Sequence, residues 1–345
     1  MSDGRIRLAL TIGDPAGVGP EIAAAMLRAE EPGGGEELLL IGSATALRRH
    51  LPPGPAADMT VVAAGGEGSA EDIAGSWNPS GRLTVIDTAG DARVPEGRPS
   101  REGGLVAGRA IEIAAALASR GKVDGIVTGP VSKEGLRLAG YPWNGHTSML
   151  ADLMHSPDCQ MMMVSAAMRI VILTRDIPLR EVPDAVTGER IITGTRVTAE
   201  ALRSFWGIAG PRILVSALNP HAGDGGVTGS EEIEKIIPAI EKLRAEGLDV
   251  TGPVPADTLF CRWAEKKADA FIALYHDIGM IPFKMEGFAE GVNMTIGLPV
   301  VRTSVCHGTA YDIAGRGSAD HGSLVSAVRL AGQCAATSRK TVETK

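Results

Sequence analysis

Short apolar runs recur along this chain, and most of them lead into a glycine-rich or polar turn and then a segment with helical spacing. The clearest runs occupy residues 38–42, 123–128, 212–218 and 270–275. Continuous apolar runs of this length are typical of strands that are buried on both faces, as in parallel sheets. Strands that alternate with helical segments therefore predict an α/β fold built on a parallel sheet.

The composition narrows the class of protein. A chain of 345 residues can form two domains or one large α/β unit. Aromatic residues make up 3% of the chain, the formal charge is −7, and no basic stripe is present, so nucleic acid is not an expected partner. No apolar run reaches the length of a membrane span, and the four cysteines are dispersed. We therefore expect a cytoplasmic protein with reduced thiols and no membrane partner.

The run at 270–275 delivers a histidine and an aspartate, His276 and Asp277, where the predicted strand ends. Lys284, Asn293 and Arg302 follow between short apolar runs, at a spacing that favours loops over one helical face. A neutral imidazole binds divalent cations, while ammonium and guanidinium groups bind phosphate or carboxylate. The stretch predicts a metal ligand beside an anion clamp; a solvated loop with one buried histidine is the structural alternative.

A second candidate site follows the strand at 212–218. His221 lies in a glycine-rich turn, and Thr228 with Glu231 matches the capping box that begins a helix running towards residue 246. Further on, Asp257 lies in a loop that leads into a helix and is a candidate acid or base.

Two further turns point towards an anion. The motif GDPAGVGPEI, residues 13–22, is a strand-to-helix turn whose spacing is neither that of the dinucleotide fingerprint nor that of the P-loop, and it can serve structure alone. The motif GHTS, residues 145–148, places His146 and Thr147 at a predicted helix start. Both side chains can donate to an anion there, although an ordinary N-cap explains the same pattern.

Together, several motifs of this chain resemble those of the 4-hydroxythreonine-4-phosphate dehydrogenase family. They are GDPAGVGPEI, VTGPVSK, GHT, SALNPHAGDGG, GPVPADTLF, ALYHDIGMIPFK, GVNMTIGLPVVRTSVCHGTA and DIAGRG, in the family's order and over nearly the whole chain. The resemblance implies a two-domain isocitrate/isopropylmalate-dehydrogenase-like α/β fold with the active site in the interdomain cleft. It predicts residues 1–135 plus 312–345 as one domain and 136–311 as the second, in a homodimer with shared active sites.

The resemblance also implies roles for individual residues. His146, Thr147, Lys284, Asn293 and Arg302 match substrate-binding positions. The metal ligands implied are His221, His276 and a third residue that in the family is a histidine in a T-x-H-x-x-L-R context. In this chain Asp176 stands at that position. A carboxylate can ligate a divalent ion and favours harder cations.

The family's reaction oxidises the secondary alcohol of a phosphorylated four-carbon acid to a β-keto acid that can lose CO₂. The resemblance implies NAD, or NADP, as hydride acceptor and one divalent ion, Zn²⁺, Mg²⁺, Mn²⁺ or Co²⁺, per site. Asp257 and Lys284 are candidates for the proton acceptor. The expected substrate is 4-phosphohydroxy-L-threonine; D-threonate or D-erythronate 4-phosphate is the alternative that Asp176 favours. A metal-dependent hydrolase and a phosphate-binding module remain non-redox alternatives.

Overall fold

The computed structural model describes residues 5–29, 36–64, 70, 72–73, 83–261, 268–287 and 290–343. The chain divides into two compact units. The first contains residues 1–157 and 298–336, and the second contains residues 158–297 and 337–345. These bounds differ from the expected domain bounds because residues 136–157 and 298–311 belong to the first unit and residues 337–345 to the second.

Among its described residues, the first unit contains six strands that all pair in parallel, in the order β3-β4-β2-β1-β5-β12. Its strands are β1 (Arg7–Thr11), β2 (Glu37–Gly42), β3 (Thr60–Ala63), β4 (Thr84–Asp87), β5 (Gly125–Thr128) and β12 (Val301–Val305). Its helices are α1 (Gly19–Arg28), α2 (Ala44–Arg48), α3 (Pro53–Asp58), α4 (Arg101–Ser119), α5 (Lys133–Leu138), α6 (His146–Leu153) and the part of α12 (Gly322–Glu343) that ends at residue 336.

The second unit contains a mixed sheet in the order β11-β6-β7-β10-β8-β9. The pairs β11–β6 and β6–β7 are antiparallel, and the other three pairs are parallel. Its strands are β6 (Gln160–Val164), β7 (Arg169–Thr174), β8 (Arg212–Ser216), β9 (Asp249–Val254), β10 (Ala270–Tyr275) and β11 (Val292–Ile296). Its α-helices are α7 (Val182–Ala185), α8 (Gly188–Trp206), α9 (Ile237–Ala245), α10 (Ala256–Leu259) and α11 (His276–Gly287), with a π-helix at Glu232–Ile236.

The predicted α/β fold class is confirmed by this alternation, and aliphatic side chains fill the space between sheet and helices. Leu8, Leu10, Ile170 and Ile272 on central strands are fully buried, because helices cover both faces of a parallel sheet. Among the described residues, none of the helices is long and apolar enough to span a membrane.

The expected helix cap differs from the structure. Thr228 does not cap a helix; its hydroxyl donates to the Pro220 carbonyl, and the π-helix begins without a side-chain cap. Gly279 lies inside α11, where its missing side chain allows contact with Ile170 and Ala273. The C-terminal segment continues as α12 to Glu343.

Candidate functional site

The three predicted metal ligands follow three neighbouring strands of the second unit. Strand β10 pairs in parallel with β7, where Tyr275 is in register with Thr174, and with β8 on its other side. Asp176 follows β7, His276 follows β10, and His221 lies in the turn after β8. Because the carboxyl ends of adjacent parallel strands share one edge, the fold directs the three segments to the same edge of the sheet.

Both histidines have a carboxylate near Nδ1. The distance from His276 Nδ1 to Asp277 Oδ1 is 2.7 Å, and that from His221 Nδ1 to Asp224 Oδ2 is 3.5 Å. In His276 the hydrogen bond with Asp277 favours the tautomer that carries its lone pair on Nε2 and makes that nitrogen a better metal ligand, whereas Asp224 lies at the longer ion-pair distance from His221. Both side chains are exposed. The chemistry of this donor set therefore fits a divalent cation.

The described residues of one chain do not bring three such ligands together. In the described part of the chain, no three His, Cys, Asp or Glu side chains lie close enough together to hold a metal ion. Asp176 is exposed and has a left-handed backbone, with φ of 59°. The prediction of a site formed by Asp176, His221 and His276 therefore requires more than the arrangement within one chain.

The turn that carries His221 has an uncommon backbone. Residues 221–225 all have positive φ, between 46° and 80°, and three of them, His221, Ala222 and Asp224, are not glycine. The left-handed conformation costs an L-residue about 1–2 kcal/mol, so contacts outside the turn must hold it.

In the first unit, Arg302 is the second residue of β12 and is the largest fully buried side chain described. Its Nη2 donates to the Thr128 hydroxyl at 2.6 Å. Strand β5, which ends at Thr128, pairs with β12. The Arg302 guanidinium therefore supplies a buried positive charge at the carboxyl end of β5, and α/β proteins bind ligands at such strand ends.

His146 is the first residue of α6 and lies close to that charge. Its Nε2 is buried without a hydrogen-bond partner among the described residues, and its ring forms a hydrogen bond with the Gly129 backbone. Burial and the Arg302 guanidinium hold the pKa of His146 well below its ordinary value. The imidazole is therefore neutral at pH 7, and a bound anion would raise this pKa.

The remaining predicted site residues occupy different elements. Thr147 follows His146 in α6, and Asn293 lies in β11 with its Oδ1 buried and no partner for that atom among the described residues. Lys284 lies on α11 and Asp257 in the first turn of α10, and both are exposed. Lys284, Asn293 and Arg302 thus lie on a helix and two strands, whereas the spacing had favoured loops.

The sequence interpretation missed Thr128, which positions the Arg302 guanidinium. A polar residue that ends an apolar run at 123–128 was the available signal. It also left open the purpose of the turn at residues 13–22. In that turn the buried Asp14 carboxylate accepts from the Tyr311 hydroxyl at 2.7 Å, and Glu21 accepts from the backbone N–H groups of Gly315 and Ala319, both at 3.0 Å. Burial raises the pKa of Asp14. These hydrogen bonds therefore hold the segment that follows β12 against the turn.

Comparisons with known proteins agree with these motifs. Residues 36–331 match the family model described as pyridoxal phosphate biosynthetic protein PdxA. A 4-hydroxythreonine-4-phosphate dehydrogenase of Pseudomonas aeruginosa is 43% identical over 341 residues, which cover 96% of this chain and 99% of that protein. A Bradyrhizobium diazoefficiens protein, provisionally named a D-threonate 4-phosphate dehydrogenase, is 42% identical over 343 residues, covering 95% of this chain and 96% of its own.

A solved structure is similar over the same length. The crystal structure of a 4-hydroxythreonine-4-phosphate dehydrogenase from Klebsiella pneumoniae has a TM-score of 0.80 and 37% sequence identity, and the match covers 97% of this chain and 99% of that one.

Proposed function

Because this chain belongs to the family of the pyridoxal phosphate biosynthetic protein PdxA, we propose that it is a metal-dependent NAD oxidoreductase acting on 4-phosphohydroxy-L-threonine. The family and its enzyme class, a dehydrogenase acting on CH–OH, agree with the sequence prediction, which is thereby confirmed. Our proposal adds the substrate, the divalent metal and a location in the cytoplasm to this enzyme class.

The observation that carries the substrate proposal is the buried Arg302 guanidinium with His146 and Thr128 beside it. A buried cation next to a neutral imidazole is an energetically unfavourable arrangement that a substrate anion improves. We assign Arg302, His146, Thr147, Lys284 and Asn293 to the phosphate and carboxylate of the substrate. Asn293 Oδ1 can accept from a hydroxyl or ammonium group of the substrate, and His146 Nε2 can donate to the substrate anion once that anion raises the His146 pKa and the ring is protonated.

In the proposed reaction, the secondary alcohol loses a proton to the chain and a hydride to the cofactor. Lys284 and Asp257 are the candidates for the proton acceptor, and the phosphate-binding residues orient the carbon that is oxidised. NAD, when bound, accepts the hydride. The product is a β-keto acid, which can then lose CO₂.

We assign the divalent cation to Asp176, His221 and His276. The carboxylates near Nδ1 of both histidines support this assignment. The cation, when bound, supplies Lewis acidity that lowers the pKa of the substrate alcohol. The mixed oxygen and nitrogen donor set suits Mn²⁺, Co²⁺ or Zn²⁺, and the carboxylate extends the range to Mg²⁺.

We further propose that two copies of the chain share each metal site. The segment after each predicted ligand carries exposed apolar side chains: Leu179 after Asp176, Val227 after His221, and Ile281 and Met285 after His276. Apolar side chains that are exposed in one chain mark surfaces that another protein covers. A second copy would cover them and could supply ligands that the described part of one chain does not bring together.

Mixing inactive variants tests the shared site. Asp176→Ala, His221→Ala and His276→Ala chains would be co-expressed in the three possible pairs. Suppose that two ligands of one site come from different copies of the chain. A hybrid dimer that carries a mutation of one of these ligands in each chain then has one site with both mutations and one intact site. About one quarter of wild-type activity should therefore return in a statistical mixture. If each site takes ligands from both copies, two of the three pairs regain activity and one stays inactive. Inactivity of all three pairs would contradict sharing.

The second candidate substrate is D-threonate 4-phosphate or its erythronate isomer, which the relative in Bradyrhizobium and the carboxylate at Asp176 favour. The two substrate classes differ by an amine or a hydroxyl beside the carboxylate. Side-by-side kcat/KM values with the two phosphorylated acids separate them. A clear preference for the amino acid would exclude the sugar-acid alternative. The reported relatives are named dehydrogenases, which favours the redox function over a hydrolase or a binding module.

A further inference from the structure

A buried carboxylate lies beneath the turn that carries His221. Glu232, the first residue of the π-helix, is 1% exposed. Its Oε1 accepts from the backbone N–H groups of Leu218 and Asn219, both at 2.8 Å, and its Oε2 accepts from the Asn219 side-chain amide at 2.8 Å. The Glu232 side chain therefore fixes the backbone just after β8, including Asn219, which lies shortly before the left-handed turn.

The turn packs directly on this carboxylate and its amide partner. A Cβ placed on Gly223 would lie 2.9 Å from Glu232 Oε2, and one placed on Gly229 would overlap the Asn219 side-chain amide. Gly223 thus approaches Glu232, and Gly229 approaches Asn219, more closely than a residue with a side chain could. The same Asn219 amide donates to Glu231 and lowers the pKa of that carboxyl group.

We propose that Glu232 is a positioning residue for the metal ligand His221. The Glu232 carboxylate holds the backbone of Leu218 and Asn219 in place, and the turn packs on Glu232 and Asn219. These contacts stabilise the left-handed backbone at His221, which the turn would not adopt alone. This inference rests on the proposed function, in which His221 binds the divalent cation. Residues that orient a metal ligand from outside the coordination sphere typically change metal affinity 10- to 100-fold when they are replaced.

The test measures Zn²⁺ affinity of the full-length protein by competition with a chromophoric chelator, with no substrate or NAD present. Glu232→Met has a similar length but lacks the acceptors, and it should weaken Zn²⁺ binding by about 10- to 100-fold. Glu232→Gln keeps one oxygen that can accept both backbone N–H groups but places an N–H donor against the Asn219 amide, so it should recover only part of that affinity. Glu234→Gln, which removes a negative charge from an exposed neighbour on the same helix, is the matched control and should leave the affinity unchanged.

Rescue by glutamine separates positioning from mere charge, because both Glu232→Gln and Glu234→Gln remove one negative charge. Equal weakening in these two variants, or wild-type affinity in Glu232→Met, would overturn the proposal. If Glu232→Met does not fold, Glu232→Gln decides, because loss of the acceptor for the Asn219 amide should weaken Zn²⁺ binding in this variant while Glu234→Gln keeps wild-type affinity, and equal affinities in the two variants would overturn the proposal. A parallel His221→Ala variant tests whether His221 is a metal ligand. Unchanged Zn²⁺ affinity in this variant would refute that role. Lost affinity in this variant together with wild-type affinity in Glu232→Met would refute only the positioning role of Glu232.

Discussion

Replacing Arg302 by methionine removes the buried charge and keeps a side chain of similar length. Arg302 Nη2 lies 2.6 Å from the Thr128 hydroxyl, and the guanidinium lowers the pKa of His146. A hydrogen bond to a charged group contributes about 1.5–3 kcal/mol, so KM for the phosphorylated substrate should rise about 10- to 150-fold. Stability without substrate should be retained or should increase, because burying a charge is costly and methionine avoids that cost.

Three measurements follow from this substitution: KM by NADH formation, the midpoint of urea unfolding without ligand, and the pKa of His146 by NMR. The His146 pKa should move up towards its ordinary value, because one of the two causes of its depression is gone. Arg169→Met is the matched control, because its guanidinium also extends from a strand but lies 4.5 Å from the Trp206 ring centroid. An unchanged KM together with an unchanged His146 pKa would refute the assigned anion-binding role.

Three other substitutions test separate parts of the account. The pKa of His146 is lower in the folded protein than in the unfolded chain, so the free energy of unfolding should fall as the pH decreases below about 6.5, by at most about 1.4 kcal/mol per pH unit. His146→Asn should remove this contribution, which urea titrations at several pH values would measure. Asp176→Ala should lose bound metal, and unchanged metal content by elemental analysis would remove Asp176 from the site. Gly104→Ala would place its Cβ against the Gly135 carbonyl where α4 meets α5. This substitution should lower the free energy of unfolding by about 1–3 kcal/mol. An unchanged midpoint of urea unfolding would show that the two helices separate easily.

Several strands were predictable because they lie in mostly apolar runs. Residues 123–128 and 270–275 were assigned from that pattern, and the structure places β5 and β10 there. The strand-end position of His276 followed from the same pattern, since a polar residue after a buried run marks the edge of a sheet. These inferences needed only local sequence, which is why they agree with the structure.

The features that sequence analysis could not supply depend on contacts between distant residues. Arg302 interrupts an apolar run and suggests a loop, but β12 can bury it because Thr128, 174 residues away in the chain, accepts its hydrogen bond. Thr228 has the spacing of a helix cap, yet the left-handed turn brings it to the Pro220 carbonyl instead. In both cases a tertiary contact overrides the local pattern.

The central claim is that this chain oxidises a phosphorylated four-carbon acid with NAD and a divalent cation. The most direct measurement follows NADH formation from 4-phosphohydroxy-L-threonine and from D-threonate 4-phosphate, before and after a chelator removes the metal, with the dephosphorylated acids as controls. We predict NADH formation from at least one phosphorylated acid, its loss on chelation and its return when Mn²⁺ or Zn²⁺ is added. NADH formation that persists without metal, or none from either phosphorylated acid, would contradict the claim.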